Sequence, residues 1–370
     1  MTDLYCSMIH GGLELNFKGP RATAQHCCLR NTRFSIDIAT NFWNDIKFTP
    51  LREQNKKNTW ARGCENCQLL EDANLASFRT GMNQGLGITG YDQTGPSRIN
   101  LMFDTSCNLA CRSCGTYSST FWQKHLKEHG EWKGPILTPQ KHDVVVSALS
   151  KLDLSNLKQL VFSGGETLLG QAYWEVTKWL ADNVPNAKQQ LALCFQTNGT
   201  QPIHPRNYKL IDQFHLVKLH ISLDGVDRKF DYLRWPADWK QVVDNIMQIR
   251  DTAPSNTMFL IEETVSIFNL YYLQELDTWA KNNFNTNREG DVTHHTRHLA
   301  QGIFNLNNCT QEYVDAVQQT EFKNLIPRSW QENSTDIIKM IKEIKKFDQF
   351  RNQSFEKTFP EVAEFYARYL

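Results

Sequence analysis

From Arg98 onward, short apolar runs and amphipathic stretches take turns along the chain. Ile99, Leu101 and Phe103 alternate with Asn100 and Met102 at the period of two expected of a strand, and residues 159–162, 191–195, 216–223 and 258–266 are further short apolar or β-branched runs. Helical patterns lie between them: a segment opened by Thr138-Pro139 and running to about Leu152, then residues 171–182, 237–250 and 271–282. Proline suits a first helical turn, where the backbone N–H it lacks would be unpaired anyway. A sixth strand falls near residues 291–296. Strand and helix in alternation predict parallel strands joined by right-handed crossovers, either as an open doubly wound sheet or as a whole or partial barrel. Both architectures put their chemistry at the carboxyl ends of the strands.

The flanks read differently. Residues 1–95 are short on regular periodicity and rich in Gly, Asn, Arg and Cys, as expected of a small module organised by metal ligands more than by a core, and the glycine-rich stretch 81–95 marks its end. Residues 96–300 are then the catalytic unit and 301–370 a C-terminal helical extension. In that extension Ile337, Ile338, Ile341 and Ile344 recur at helical spacing with Lys339, Lys342, Lys345 and Lys346 opposite them, which predicts a packing helix.

Charge excludes more than it suggests. The chain has 370 residues, and its 40 Lys and Arg balance 40 Asp and Glu, so neither a nucleic-acid footprint nor a polybasic membrane anchor is expected. The start, MTDLYCSMIHGG, lacks a basic region followed by an apolar run, and no stretch approaches the ~18 apolar residues that span a bilayer, so the expectation is a soluble cytoplasmic protein. There the ten cysteines point to metal or redox chemistry before disulfides. Cys6, Cys27, Cys28, Cys64 and Cys67 precede residue 70, Cys107, Cys111 and Cys114 form one tight group, and Cys194 and Cys309 stand alone.

The tight group follows the first strand directly. Three thiolates spaced four and three residues apart can converge on one iron-sulfur cube from a single loop, leaving one iron without a protein ligand. A structural zinc ion would instead need a fourth ligand, for which His125 and His129 are near enough in sequence. With Ser163-Gly164-Gly165-Glu166 after the second strand, the Cys107, Cys111, Cys114 pattern resembles that of the radical SAM superfamily, over roughly residues 98–300.

The resemblance implies a partial (β/α)6 TIM-like barrel of the α/β class. It also implies a 4Fe-4S cluster on the three cysteines, whose open iron chelates S-adenosylmethionine, and reductive cleavage of that cofactor to a 5'-deoxyadenosyl radical. Gly164 and Gly165 suit a close approach of backbone to ligand, since neither has a Cβ, and Glu166 is placed to accept from the methionine ammonium. Thr197 and Asn198 at the end of the third strand, and Ser222 and Asp224 at the end of the fourth, stand where superfamily members contact cofactor. Asn-Gly and Asp-Gly are also favoured turn dipeptides. Arg234 is a candidate for the cofactor carboxylate or an ordinary surface arginine, and Val265 for packing on adenine. Many members carry an aromatic residue just before the third cysteine, where this chain has Ser113.

Cys64 and Cys67 form a CxxC pair, and Cys6 with Cys27 and Cys28 supplies enough thiolates for a four-cysteine site with one to spare. Spacing does not separate zinc from iron-sulfur here, and Cys27 and Cys28 cannot be ranked. The set resembles the SPASM or twitch auxiliary-cluster modules of radical SAM enzymes, which implies a second 4Fe-4S cluster; those modules usually follow the barrel, whereas this one precedes it. Such modules imply a peptide or protein substrate, and the superfamily chemistry implies an electron donor such as a flavodoxin or ferredoxin. Radical modification of a small molecule is the alternative within catalysis, and a zinc-stabilised interaction protein is the alternative outside it.

Overall fold

The computed structural model describes residues 4–18, 21–29, 33–45, 47–72, 75–87, 90–91, 93–284 and 294–370. Among them, nine strands form one sheet: β1 (Gly12–Lys18), β2 (Arg21–Gln25), β3 (Phe34–Ile36), β4 (Arg98–Met102), β5 (Gln159–Ser163), β6 (Ala192–Thr197), β7 (Leu216–Ser222), β8 (Thr257–Val265) and β9 (His294–Leu299), in the order β3-β2-β1-β4-β5-β6-β7-β8-β9. From β4 to β9 every neighbouring pair is parallel. Helices connect these strands, which makes residues 98–299 a partial barrel of the α/β class, as expected.

The alternation in the sequence is the alternation of the two sheet faces. Ile99 and Leu101 of β4, Leu160 and Phe162 of β5, Leu193 and Phe195 of β6, and Val217, Leu219 and Ile221 of β7 join one core with residues of the outer helices, such as Tyr173, Val176, Val242 and Ile246. Each such side chain contributes roughly 1.5–3 kcal/mol by leaving water. The opposite, inward face carries Asn100, Gln196, Lys218, His220 and Glu262, all only partly buried.

The helix expected from Thr138 begins instead at His142 and ends at Leu149. The amide of Gln140 donates to Phe103 O at 3.0 Å, which ties residues 138–141 to the end of β4 and keeps them extended. In the helix Ser334–Arg351 the buried stripe is Ile337, Met340, Ile341, Ile344 and Phe347. Ile338 lies about 100° off that stripe and is exposed. The four aliphatic residues of the stripe meet Tyr232, Val265, Phe268 and Tyr366 in a second core, while Phe347 packs with Ala110 and Trp122 of the cysteine-loop side. Among the described residues no helix is long and apolar enough to cross a membrane.

The N-terminal residues hold more regular structure than their composition promised. β1 runs parallel to β4, with Leu13 opposite Ile99 and Leu15 opposite Leu101, and β2 and β3 continue the sheet antiparallel. Leu13, Leu15 and Phe17 enter the barrel core. The glycine-rich stretch expected to mark a boundary begins inside a helix, Phe78–Leu86, capped by reciprocal hydrogen bonds of Ser77 and Thr80. Leu15→Ala is expected to cost about 2–5 kcal/mol in a denaturant titration, as Leu101→Ala should. A loss below 1 kcal/mol would show that β1 is not part of the cooperative barrel.

Candidate functional site

The first two strands of the parallel run end in turns that are bonded to each other. After β4 the chain enters the cysteine loop; after β5 it turns through Gly164 and Gly165, whose neighbours donate back into that loop, Gly165 N to Asp104 O at 3.0 Å and Glu166 N to Ser106 O at 2.8 Å. Gly164 has φ +138°, a conformation side chains disfavour. A Cβ on Gly165 would sit 2.1 Å from Ser106 O. The two glycines are therefore required by the approach of two backbones, whatever else they contact.

Glu166 then points under the site. Its carboxylate accepts from Thr197 Oγ1 at 2.7 Å, from the Asn198 amide at 2.6 Å and from the Leu168 amide at 2.9 Å. Burial pushes the carboxyl above its ordinary range, against the pull of these donors. With both oxygens engaged by protein, Glu166 fixes the end of β6 against the end of β5. Asn198 in turn donates to Asn108 Oδ1 at 3.1 Å and reaches Cys107 Sγ at 3.8 Å.

The cysteine loop is held from its other side by the segment after β7. Amides of Ala110 and Arg112 donate to Trp235 O and Leu233 O, each at 2.8 Å. Arg234, between those two carbonyls, is buried; its guanidinium pairs with Asp224 at 2.9 Å and lies 3.8 Å from Cys111 Sγ. Asp224 also accepts from the Thr264 amide at 2.8 Å. The surface-arginine reading of Arg234 is therefore set aside, because the side chain is enclosed among the cysteine loop, β7 and β8.

One cavity of about 180 Å³ gathers most of the expected residues: Cys107, Cys111, Cys114, Gly164, Gly165, Thr197, Asn198, Ser222 and Arg234 line it, with Gln196, Glu262 and Thr264 from the inward face. Glu166 and Asp224 lie behind this wall and brace it. Val265 is fully buried in the second core among Tyr232 and Phe268 and does not line the cavity. Sequence reasoning passed over Glu262, although its place two residues before Thr264 on an alternating strand put it on the inward face.

The thiols are not equivalent. Burial pushes Cys107 up to about 12, with the neighbouring Cys111 adding to the shift. A hydrogen bond with Cys114 holds Cys111 below its ordinary value, helped by Arg234, and raises Cys114. The donor set fits an iron-sulfur cube: three cysteines of one loop face a cavity walled by Cβ-free glycine, and the buried Arg234 Nε there has no protein partner. Among the described residues no three His, Cys, Asp or Glu side chains are gathered closely enough to hold a single ion. His125 and His129, the possible zinc ligands, are turned to other partners: His125 packs on Trp235, and His129 stacks on Phe350 at 3.9 Å.

The remaining cysteines fall into three environments. Cys6, Cys27, Cys64 and Cys67 line one largely apolar cavity with Trp60, Phe78 and Arg79, while Cys28 lies outside it and is exposed. Burial pushes Cys6 up to about 11. Cys194 is fully buried on β6, on the inward face, and accepts from Gln159 Nε2 at 3.4 Å. Cys309 is buried in the second core. His298 is exposed on β9; residues 285–293, where part of the sixth strand was expected, lie outside the described residues, as do the side chains of His294 and His295.

Set against known proteins, residues 103–268 match the model of the Radical SAM superfamily. No curated protein matches the chain. Among solved structures, native anSMEcpe with bound AdoMet is similar at 16% identity and a TM-score of 0.42 over 68% of this chain, which spans 60% of that one. SuiB of Streptococcus suis bound to the precursor peptide SuiA is similar at 9% identity and a TM-score of 0.39, over 95% of this chain and 74% of that one.

Two outcomes follow from the geometry. Gly165→Ala should open the contact with Ser106 and cost at least about 2 kcal/mol of stability by denaturant titration, since the Ser106 carbonyl is backbone that cannot rotate away. His220 and Glu262 form a pair at 2.6 Å. Burial alone pushes the imidazolium down, but the neighbouring Cys194 sulfur and the hydrogen-bonded Glu262 carboxylate outweigh it and raise His220 from 6.5 to about 9. The raised value favours the charged imidazole in the folded state, so its contribution is fully present below pH 6.5 and is lost as pH rises through about 9. That contribution is on the order of 3 kcal/mol, and Glu262→Gln should flatten the decline between those values in unfolding measured against pH.

Proposed function

From the match of residues 103–268 to the Radical SAM superfamily model, we infer an enzyme that binds a 4Fe-4S cluster on Cys107, Cys111 and Cys114 and uses S-adenosylmethionine to start radical chemistry. The observation that carries this reading is the single cavity in which the three thiols meet Gly164, Gly165, Thr197, Asn198, Ser222 and Arg234. When bound, a reduced cluster supplies the electron for reductive cleavage of S-adenosylmethionine, which generates the radical that abstracts hydrogen from substrate. The chain's own groups prepare that site. Arg234 sets a positive charge beside Cys111 and favours its thiolate, and Asp224 keeps the guanidinium in place. Thr197, Asn198 and Ser222 offer hydroxyl and amide groups to the polar parts of the cofactor, and the absence of Cβ atoms at Gly164 and Gly165 lets it lie against backbone.

A second cluster is assigned to Cys6, Cys27, Cys64 and Cys67, with Cys28 as the spare thiol. The shared cavity supports this choice, as does Arg79, whose charge acts on Cys6 and Cys67. Cys6 directly precedes the helix that leads into β1, so this site stands at the amino-terminal end of the parallel strands, across the sheet from Cys107. A substrate reaching from one end of the barrel toward the other fits a peptide or protein segment, the preferred substrate class. An electron donor of the flavodoxin or ferredoxin type completes the reaction.

Anaerobic reconstitution should load about eight irons per chain, the content of two cubane clusters. Cys107→Ala is expected to keep about four of them and to abolish 5'-deoxyadenosine formation after reduction; Cys64→Ala is also expected to keep about four, and Cys28→Ala all eight. A colourless protein that holds zinc and produces no 5'-deoxyadenosine would defeat the enzyme reading.

A further inference from the structure

Three arginines are buried around the cysteine loop: Arg112 within it, Arg234 after β7, and Arg351 at the end of the helix Ser334–Arg351. Two of them face a carboxylate. Arg234 pairs with Asp224 at 2.9 Å and Arg112 with Asp348 at 2.6 Å. Among the described residues Arg351 pairs with none: its Nη1 and Nη2 are buried without a hydrogen-bond partner, and its Nε donates to His125 Nε2 at 3.4 Å. His125 supplies no countercharge there, since burial, and after it the Arg351 cation, push it down to about 4.

A guanidinium stays charged at neutral pH, and burying one without a counter-ion is costly. The rings of Trp122, Trp235 and Phe347, at 4.6, 5.1 and 5.0 Å from the Arg351 guanidinium carbon, offset part of that cost but carry no net charge. The same rings tie the cation to the thiols. Trp122 Nε1 donates to Cys111 O at 2.8 Å, and Trp235 O accepts from the Ala110 amide at 2.8 Å. Both tryptophans around Arg351 are therefore bonded to the stretch of chain that carries Cys111, which Arg234 approaches at 3.8 Å. An unneutralised positive charge is thus fixed behind a loop whose three cysteines are the candidate cluster ligands. Three thiolates outweigh the positive charge of a 4Fe-4S core, and reduction adds a further negative charge.

We propose that Arg351 is the counter-cation of the cluster site, a positioning residue of the C-terminal helix that raises the reduction potential of a 4Fe-4S cluster on Cys107, Cys111 and Cys114. It acts through the cysteine loop. A fixed cation in a medium of low dielectric favours the reduced form, because that form is the more negative. The C-terminal extension, which contributes no cysteine to the site, thereby helps to set how readily the site accepts an electron. The proposal deepens the radical SAM reading and rests on it for the presence of the cluster.

An EPR-monitored redox titration of the anaerobically reconstituted full-length protein tests it. The signal followed is the one that changes when S-adenosylmethionine is added, which separates this cluster from a second one. Arg351→Met and Arg351→Gln, one apolar and one polar, should each shift the reduction equilibrium at least threefold toward the oxidised cluster, about 28 mV at ~59 mV per decade for one electron. Two neutral variants are used so that one that fails to load iron does not end the test. Arg351→Lys keeps the charge and should stay closer to the wild type than either. Lys342→Met removes an exposed charge from the same helix and should leave the potential unchanged, since solvent and salt screen it.

Shifts below threefold in the neutral variants, or an Arg351→Lys potential lowered as far as theirs, overturn the role of Arg351 and leave the radical SAM reading standing. A wild-type protein in which no signal responds to S-adenosylmethionine overturns that reading, and this proposal with it.

Discussion

The Glu166 carboxylate is the joint on which the site depends. It is buried at the end of β5, accepts from Thr197 and from the amide of Asn198 at the end of β6, and its own amide donates into the cysteine loop after β4. The carboxylate bonds join the ends of β5 and β6, and backbone bonds join the end of β5 to the loop after β4, all in a medium of low dielectric where such bonds are strong and their loss is costly. The placement of the three thiols is a consequence of this joint as much as of their spacing.

A second constraint comes from the far end of the chain. Arg112, between Cys111 and Ser113, lies over the Tyr232 ring at 3.8 Å and donates to Asp348 at 2.6 Å; Tyr232 donates to the same carboxylate oxygen at 2.7 Å. Arg351, one turn later in the helix, is enclosed by Trp122, Trp235 and Phe347. Burial pushes Arg351 down to about 9, with the charge of Arg112 adding to the effect. The C-terminal helix thus does more than close an apolar core. It clamps the outer side of the cysteine loop, while β7 and Arg234 clamp the inner side.

The sheet also has two chemically distinct ends. Cys107, Cys111 and Cys114 stand at the carboxyl end of the parallel strands; Cys6, Cys27, Cys64 and Cys67 gather at the amino end, because β1 runs parallel to β4 and Cys6 lies upstream of it. Between them the inward faces of β1, β4, β7 and β8 carry amide, imidazole and carboxylate groups in place of the apolar packing of a closed barrel.

Local pattern determined the barrel. Period-two alternation in 99–103, 159–162 and 216–223 reports two sheet faces wherever one of them is buried, and a loop after a strand is a place that needs no long-range information to recognise. The same rule applied to Leu13, Leu15 and Phe17 would have revealed β1, but the cysteines and glycines around them drew the reading toward a metal-organised module. What local pattern could not decide is pairing between residues far apart in sequence. That Arg234 is buried against Asp224, that Glu166 braces the wall and does not face the cavity, that Val265 belongs to another core, and that Cys27 and not Cys28 joins Cys6, Cys64 and Cys67 each depend on which of two faces a side chain takes once distant segments close on it. Adjacent residues such as Cys27 and Cys28 are chemically identical in the sequence, and only the chain packed around them makes them different.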